Sequence, residues 1–106
     1  QRQKLELNKT IERIIFAASR VSGASIDDCG NAIRRKARDV KGRALAVAAT
    51  QQIIGMSYQT LAERFGYTDH TSCLHLVRIA LRRWPDDLRR VVAMVNDPRL
   101  MMEHAA

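Results

Sequence analysis

The 106-residue chain has only two cysteines, two prolines, five glycines and 5% aromatic residues. Cys29 and Cys73 are too few for a disulfide scaffold, and they predict free thiols in a reducing cytoplasm. The scarcity of Pro and Gly excludes a collagenous or low-complexity chain. No apolar run approaches the ~18 residues of a membrane span. No signal-peptide pattern is present, and Gln at position 1 predicts a cut or processed start. No G-x-x-x-x-G-K-[ST] phosphate loop occurs, so an ATP-driven machine is not expected from this chain alone. The hydrophobic fraction of 46% is too high for a disordered basic tail. A chain of this length is one domain, able to bury roughly 65% of its unfolded surface.

What the chain does have is positive charge in two places. It carries 18 Lys+Arg against 11 Asp+Glu, a net +7, with a pI near 10.3. Residues 34–43 (RRKARDVKGR) hold six basic residues and one acid, a balance of +5. Residues 64–83 set Arg64, Arg78, Arg82 and Arg83 against Asp69, a balance of +3, so the rest of the chain sums to −1. A charge run is often only a solvated face. A compact basic domain also points to a polyanion, with nucleic acid first.

Helical periodicity dominates and no stretch alternates as a strand would. Leu7, Ile11, Ile14, Ile15 and Ala18 form one stripe and predict an amphipathic helix over 4–20. A turn at 21–25 contains Gly23. Ser25 is suited to cap a short helix from Ile26, with Asp27 and Asp28 favoured by the positive helix end. This helix runs into the basic segment 34–43. Arg43 to Ile54 is Ala-rich and apolar on most sides, which predicts the central buried helix, ended by Gly55.

A short helix over 57–64, with Leu61 and Phe65 facing in, is followed by the turn Gly66-Tyr67-Thr68-Asp69. Asp69 is a good N-cap for a helix over 70–83, and Trp84-Pro85 opens another. Leu88, Val91, Val92 and Val95 form the core stripe of that helix, and Asn96 and Pro98 precede a short terminal one. The expectation is an all-α bundle containing a helix-turn-helix.

At about 100° per residue, Thr71, His75, Arg78 and Arg82 fall within roughly 60° of one another on the 70–83 helix. Ser72 and Arg83 lie to one side. Cys73, Leu74, Leu76, Val77, Ala80, Leu81 and Trp84 fill the opposite side, and only Ile79 breaks the division. The outer face is therefore small hydroxyls and a histidine in the first turns, with arginine behind. This suits a recognition helix, whose N-terminal residues touch base edges while Arg reaches guanine or phosphate.

The run Asp69-His70-Thr71-Ser72-Cys73-Leu74-His75 resembles the D-H-T-T-x-x-H signature of the C-terminal DNA-binding domain of the bacterial replication initiator DnaA. The basic stretch ending in Arg43, the 26-residue step from it to Asp69, and the short helix before Gly66 also sit where that family has them. The resemblance covers about residues 8–96. It implies a Trp-repressor/DnaA-like helix-turn-helix fold and a short, asymmetric, A·T-rich duplex site.

The resemblance further implies major-groove roles for Asp69, His70, Thr71, Ser72 and His75, which Arg78 joins on the helix wheel. Arg35 matches an arginine that enters the minor groove, within a basic loop that also holds Arg34, Lys36 and Arg38. Lys41 and Arg43 match backbone-contacting positions. Ser57, Tyr58 and Gln59 match positions touching the DNA beside the reader, and Arg82 is placed with the backbone contacts. An arginine in a narrow minor groove is attracted by its concentrated negative potential.

The chain departs from the family in three places. Ser72 replaces Thr, Gly42-Arg43-Ala44 replaces the usual Pro-Arg-Gln, and the first helix lacks the usual aromatic pair. The chain is either part of a longer initiator or a separate DnaA-like regulator, and the divergent loop favours the regulator.

Other chemistry finds little support. His70 and His75 lie about 140° apart on the wheel while Cys73 points to the core, which argues against a zinc site or a Cys–His nucleophile pair. Asp27/Asp28 and Asp86/Asp87 sit in helix first turns, where the macrodipole explains them. Trp84 falls on the core face. No enzyme, cofactor, metal or membrane association is expected.

Three classes stay open: a sequence-specific duplex-DNA binder acting in transcription or replication, a non-specific nucleoid-type protein, and a protein-interaction module. RNA is disfavoured because an A-form major groove does not admit a helix and no aromatic stacking platform is evident. A bacterial, cytoplasmic, nucleoid-associated protein is expected, with a parent chain or replication or transcription protein as a further partner.

Overall fold

A computed structural model describes the backbone of residues 2–30, 37–97, 99 and 100, and the side chains of 5–30, 39–97, 99 and 100. Among these described residues, six helices follow one another: α1 Arg2–Ser22, α2 Ile26–Gly30, α3 Ala37–Ile54, α4 Tyr58–Phe65, α5 His70–Arg83 and α6 Pro85–Asn96. Among the described residues there is no strand. The chain is an all-α bundle.

Helix α3 is the axis, packing against each of the other five helices. Ala44 to Ala49 are fully buried on every side of it, as is Thr50. A helix surrounded by helices must be apolar all round, and small alanines let its neighbours come close. Thr50 is polar but self-satisfied, donating its hydroxyl to the Ala46 carbonyl at 2.7 Å.

The start of α3 corrects the expected loop over 34–43. The segment is helical from Ala37, six residues before the expected start at Arg43. Asp39 in its first turn suits the helix dipole. Gly42 inside the helix is a packing residue. A Cβ there would lie 2.6 Å from Cys29 Sγ, 2.9 Å from Ala24 Cβ and 3.0 Å from Ser22 Oγ. The α1–α2 corner therefore rests directly on the α3 backbone.

Helix α1 buries Ile11, Ile14, Ile15, Ala17 and Ala18, whereas Leu7 at its open end is exposed. Gly23 ends it with φ +82° and an N–H bonded to the Ser19 carbonyl at 2.9 Å. Ser25 caps α2 as expected, its hydroxyl accepting from Asp28 N at 3.1 Å. Ile26 is exposed. Pro85 opens α6, which buries Leu88, Val91, Met94 and Val95. Val92, expected in that stripe, is only half-buried, and Met94 takes the core position. Arg99 and Leu100 are helical, and the remainder of the expected terminal helix lies outside the described residues. No described helix is long and apolar enough to cross a membrane.

Candidate nucleic-acid interface

Helices α4 and α5 are joined by the four residues Gly66–Asp69, each boundary set by local chemistry. Ser57 caps α4, its hydroxyl accepting from Thr60 N at 3.2 Å and meeting the Thr60 hydroxyl at 2.9 Å. Gly66 ends α4 in the left-handed region at φ +81°, where a Cβ would be strained, and Tyr67 N donates to the Ala62 carbonyl at 2.8 Å. Leu61, Ala62 and Phe65 on α4, and Cys73, Leu76, Val77 and Ala80 on α5, are buried. The pair is thus fixed to the α3 side of the bundle with its other faces in solvent.

Asp69 organises the first turn of α5. Its Oδ1 accepts from Thr71 N and from the Thr71 hydroxyl, both at 2.9 Å, and lies 3.5 Å from His70 Nδ1. The bond from the Thr71 amide, then that from the Thr71 hydroxyl, holds the Asp69 carboxyl below its ordinary pKa. The Thr71 hydroxyl proton is committed to Asp69, so its outward side presents lone pairs and a methyl group.

Beyond this turn, His70, Thr71, His75, Arg78 and Arg82 are all exposed, and Ser72 is half-buried. Thr71, His75, Arg78 and Arg82 therefore share an outer face opposite the core residues of α5. The wheel misassigned its edge: Leu81 is half exposed, and Leu74, like Ile79, is only partly covered. Apolar surface thus borders the cationic face on both sides, Leu74 and Leu81 on one and Ile79 on the other.

Cys73 is fully buried away from the exposed His70 and His75, so the three do not converge. Among the described residues no three His, Cys, Asp or Glu side chains could hold a metal ion together. Burial pushes the Cys73 thiol up to about 11.

The remaining expected contacts are placed unevenly. Gln59 is exposed, Tyr58 is half-buried against the core, and Ser57 is exposed at the cap. Lys41 is near the surface, but its Nζ pairs with Asp87 Oδ2 at 2.7 Å and lies 5.8 Å from the Trp84 ring centroid. Arg34, Arg35 and Lys36 lie outside the described residues, as does the side chain of Arg38.

Arg43 differs most from expectation. It is only 4% exposed, and its Nε donates to the Tyr67 hydroxyl at 3.1 Å, with Nη1 3.5 Å from the Asp28 carbonyl oxygen. A guanidinium so enclosed does not offer a surface contact to a phosphate. Its expected role as a backbone contact is corrected to that of a buried tie between α3, α2 and the α4–α5 turn.

Two partners were missed in the sequence. Tyr67 carried a usable signal, because a large aromatic is unusual in a turn that favours small polar residues, and it suggests an anchor. Asp87 carried none, since the helix dipole already explains an acid there. No protein-family model, curated protein or solved structure matches this chain.

Proposed function

We propose that the chain is a sequence-specific duplex-DNA-binding domain of the DnaA-like helix-turn-helix kind, acting as a regulator of transcription or replication initiation in a bacterial cytoplasm. The observation that carries this reading is the exposed face of α5. It groups Thr71, His75, Arg78 and Arg82 on a helix whose first turn is held by Asp69. Short side chains near the helix start let it enter a major groove, and arginines behind them reach guanine edges or phosphates. The net charge of +7 supplies the sequence-independent attraction to the polyanion. Gln59 and Ser57 flank the reader at the start of α4, and the basic residues 34–38 contact the backbone and an adjacent minor groove.

The test is selection from a random duplex library at about 0.15 M salt, where surface charges are screened beyond ~8 Å. Wild type and His75→Ala are run side by side. A motif enriched by wild type and lost or relaxed in the variant is expected, with a loss of about 1–3 kcal/mol at the preferred site. Binding without an enriched motif would identify a non-specific nucleoid-type protein instead. Absence of DNA binding would leave the basic face to a protein partner.

A further inference from the structure

The buried arginine of α3 has a consequence for how DNA would be read. Arg43 belongs to the central helix, and its guanidinium reaches the Tyr67 hydroxyl, 24 residues away in sequence. Tyr67 stands in the four-residue turn, two residues before Asp69, and Asp69 in turn fixes Thr71. Arg43 also approaches the carbonyl of Asp28 on α2, and the adjacent Gly42 brings the α3 backbone against the α1–α2 corner.

Burying a guanidinium is costly unless it is hydrogen-bonded, so its partners are specified tightly. Tyr67 is partly buried against the core, and its amide bonds the Ala62 carbonyl at the end of α4. Arg43 adds a side-chain tie from α3, the helix around which the others pack.

Resting on the DNA-binding reading above, we propose that Arg43 and Tyr67 are a positioning pair: their hydrogen bond sets where the α4–α5 turn sits on α3, and so the register at which the α5 face meets base edges. Arg43 does this without touching DNA. The pair therefore governs discrimination between sites, whereas a phosphate-contacting arginine would govern affinity for all sequences alike.

The experiment measures affinity for the selected site and for an unrelated duplex across a salt series, at a temperature where every variant is folded by circular dichroism. Wild type is compared with Tyr67→Phe, Arg43→Lys and the double variant. Tyr67→Phe removes one hydroxyl and no charge. It is expected to weaken the selected site about five- to tenfold, the scale of one partly buried hydrogen bond, while non-specific affinity and salt slope stay unchanged. Arg43→Lys is expected to do the same, and the double variant to lose no more than the worse single one, because both break one link.

Faster amide exchange at residues 66–71 in Tyr67→Phe gives a readout independent of DNA. Three results overturn the proposal: Tyr67→Phe without effect while Arg43→Lys weakens both duplexes alike; a lower Tm in both variants with discrimination intact; or unchanged exchange in the turn. A wild type that selects no site overturns the DNA-binding reading and this inference together, whereas a selective wild type with equally selective variants overturns this inference alone.

Discussion

The Oδ1 atom of Asp69 lies 2.9 Å from both the backbone nitrogen and the hydroxyl oxygen of Thr71. One carboxylate oxygen thus caps α5 and also orients the first side chain of its outer face. These bonds favour the charged carboxylate, so the folded-state pKa lies below the ordinary value of 3.8. A depressed carboxyl stabilises the fold above its unfolded pKa, and this contribution disappears as pH falls through the lower folded value. In Asp69→Asn the cap acceptor remains but the titration is gone, so the acid limb of the stability curve should flatten below about pH 4. A carboxyl titration followed by NMR checks the cause directly, and an Asp69 value at or above the ordinary one would refute it.

Gly42 sets two opposing effects against each other. Replacing a helix-interior glycine with alanine ordinarily gains about 1 kcal/mol. Here the new Cβ meets Cys29 Sγ at 2.6 Å and Ala24 Cβ at 2.9 Å, neither of them the end of a long flexible side chain. Overpacking of this kind costs about 1–3 kcal/mol, so Gly42→Ala should be neutral at best and destabilising by up to about 2 kcal/mol. Denaturant unfolding measures it, and Cys29→Ala in the same chain should recover part of the loss by making room. A Gly42→Ala protein more stable than wild type would mean that the corner is not tightly packed.

The legible parts of this fold were those set by neighbours in sequence. Ser25, Ser57, Gly66, Asp69 and Pro85 act within four residues of themselves, and each stands where its local chemistry placed it. The start of α3 was hidden because a run of cations with an internal glycine has a loop's composition, while its helical state depends on packing against α1 and α2. Arg43 was misread for a related reason: its partners lie 15 and 24 residues away, and nothing local distinguishes a buried arginine from an exposed one. On α5 the wheel correctly separated Thr71, His75, Arg78 and Arg82 from Cys73 and Ala80. It could not give the width of the covered face, which α3, α4 and α6 decide, and so Leu81 is more exposed than the pattern implied.

Both cysteines are enclosed, and desolvation raises Cys29 and Cys73 to about 11. A raised pKa contributes stability that is complete below the unfolded value of 9.0 and is lost as pH rises toward 11. The native protein should therefore react negligibly with a thiol reagent at about pH 8 and release two equivalents only after unfolding. Above about pH 9 its stability should fall, and the Cys29→Ala, Cys73→Ala double variant should fall less steeply. Rapid modification of either thiol under native conditions would place that side chain at the surface.

The last relationship concerns charge that is present but engaged. Lys41 Nζ sits 2.7 Å from Asp87 Oδ2 and faces the Trp84 ring, with the two ionic side chains 27% and 25% exposed. The pair is largely covered yet still reached by solvent, so its contribution to stability is modest, about 1 kcal/mol. On the proposed DNA-binding function its effect would be larger, because Asp87 would compete with phosphate for the same ammonium group. Removing the acid should free Lys41 to release one more counterion on binding. Asp87→Asn is thus expected to bind all duplexes more tightly, with the salt slope steeper by about one unit and little change in sequence preference. Lys41→Ala should remove what that substitution exposes, leaving Asp87→Asn without effect in its background. An unchanged slope in Asp87→Asn, accompanied by lower thermal stability, would show that the pair only fastens α3 to α6 and that Lys41 stays away from DNA.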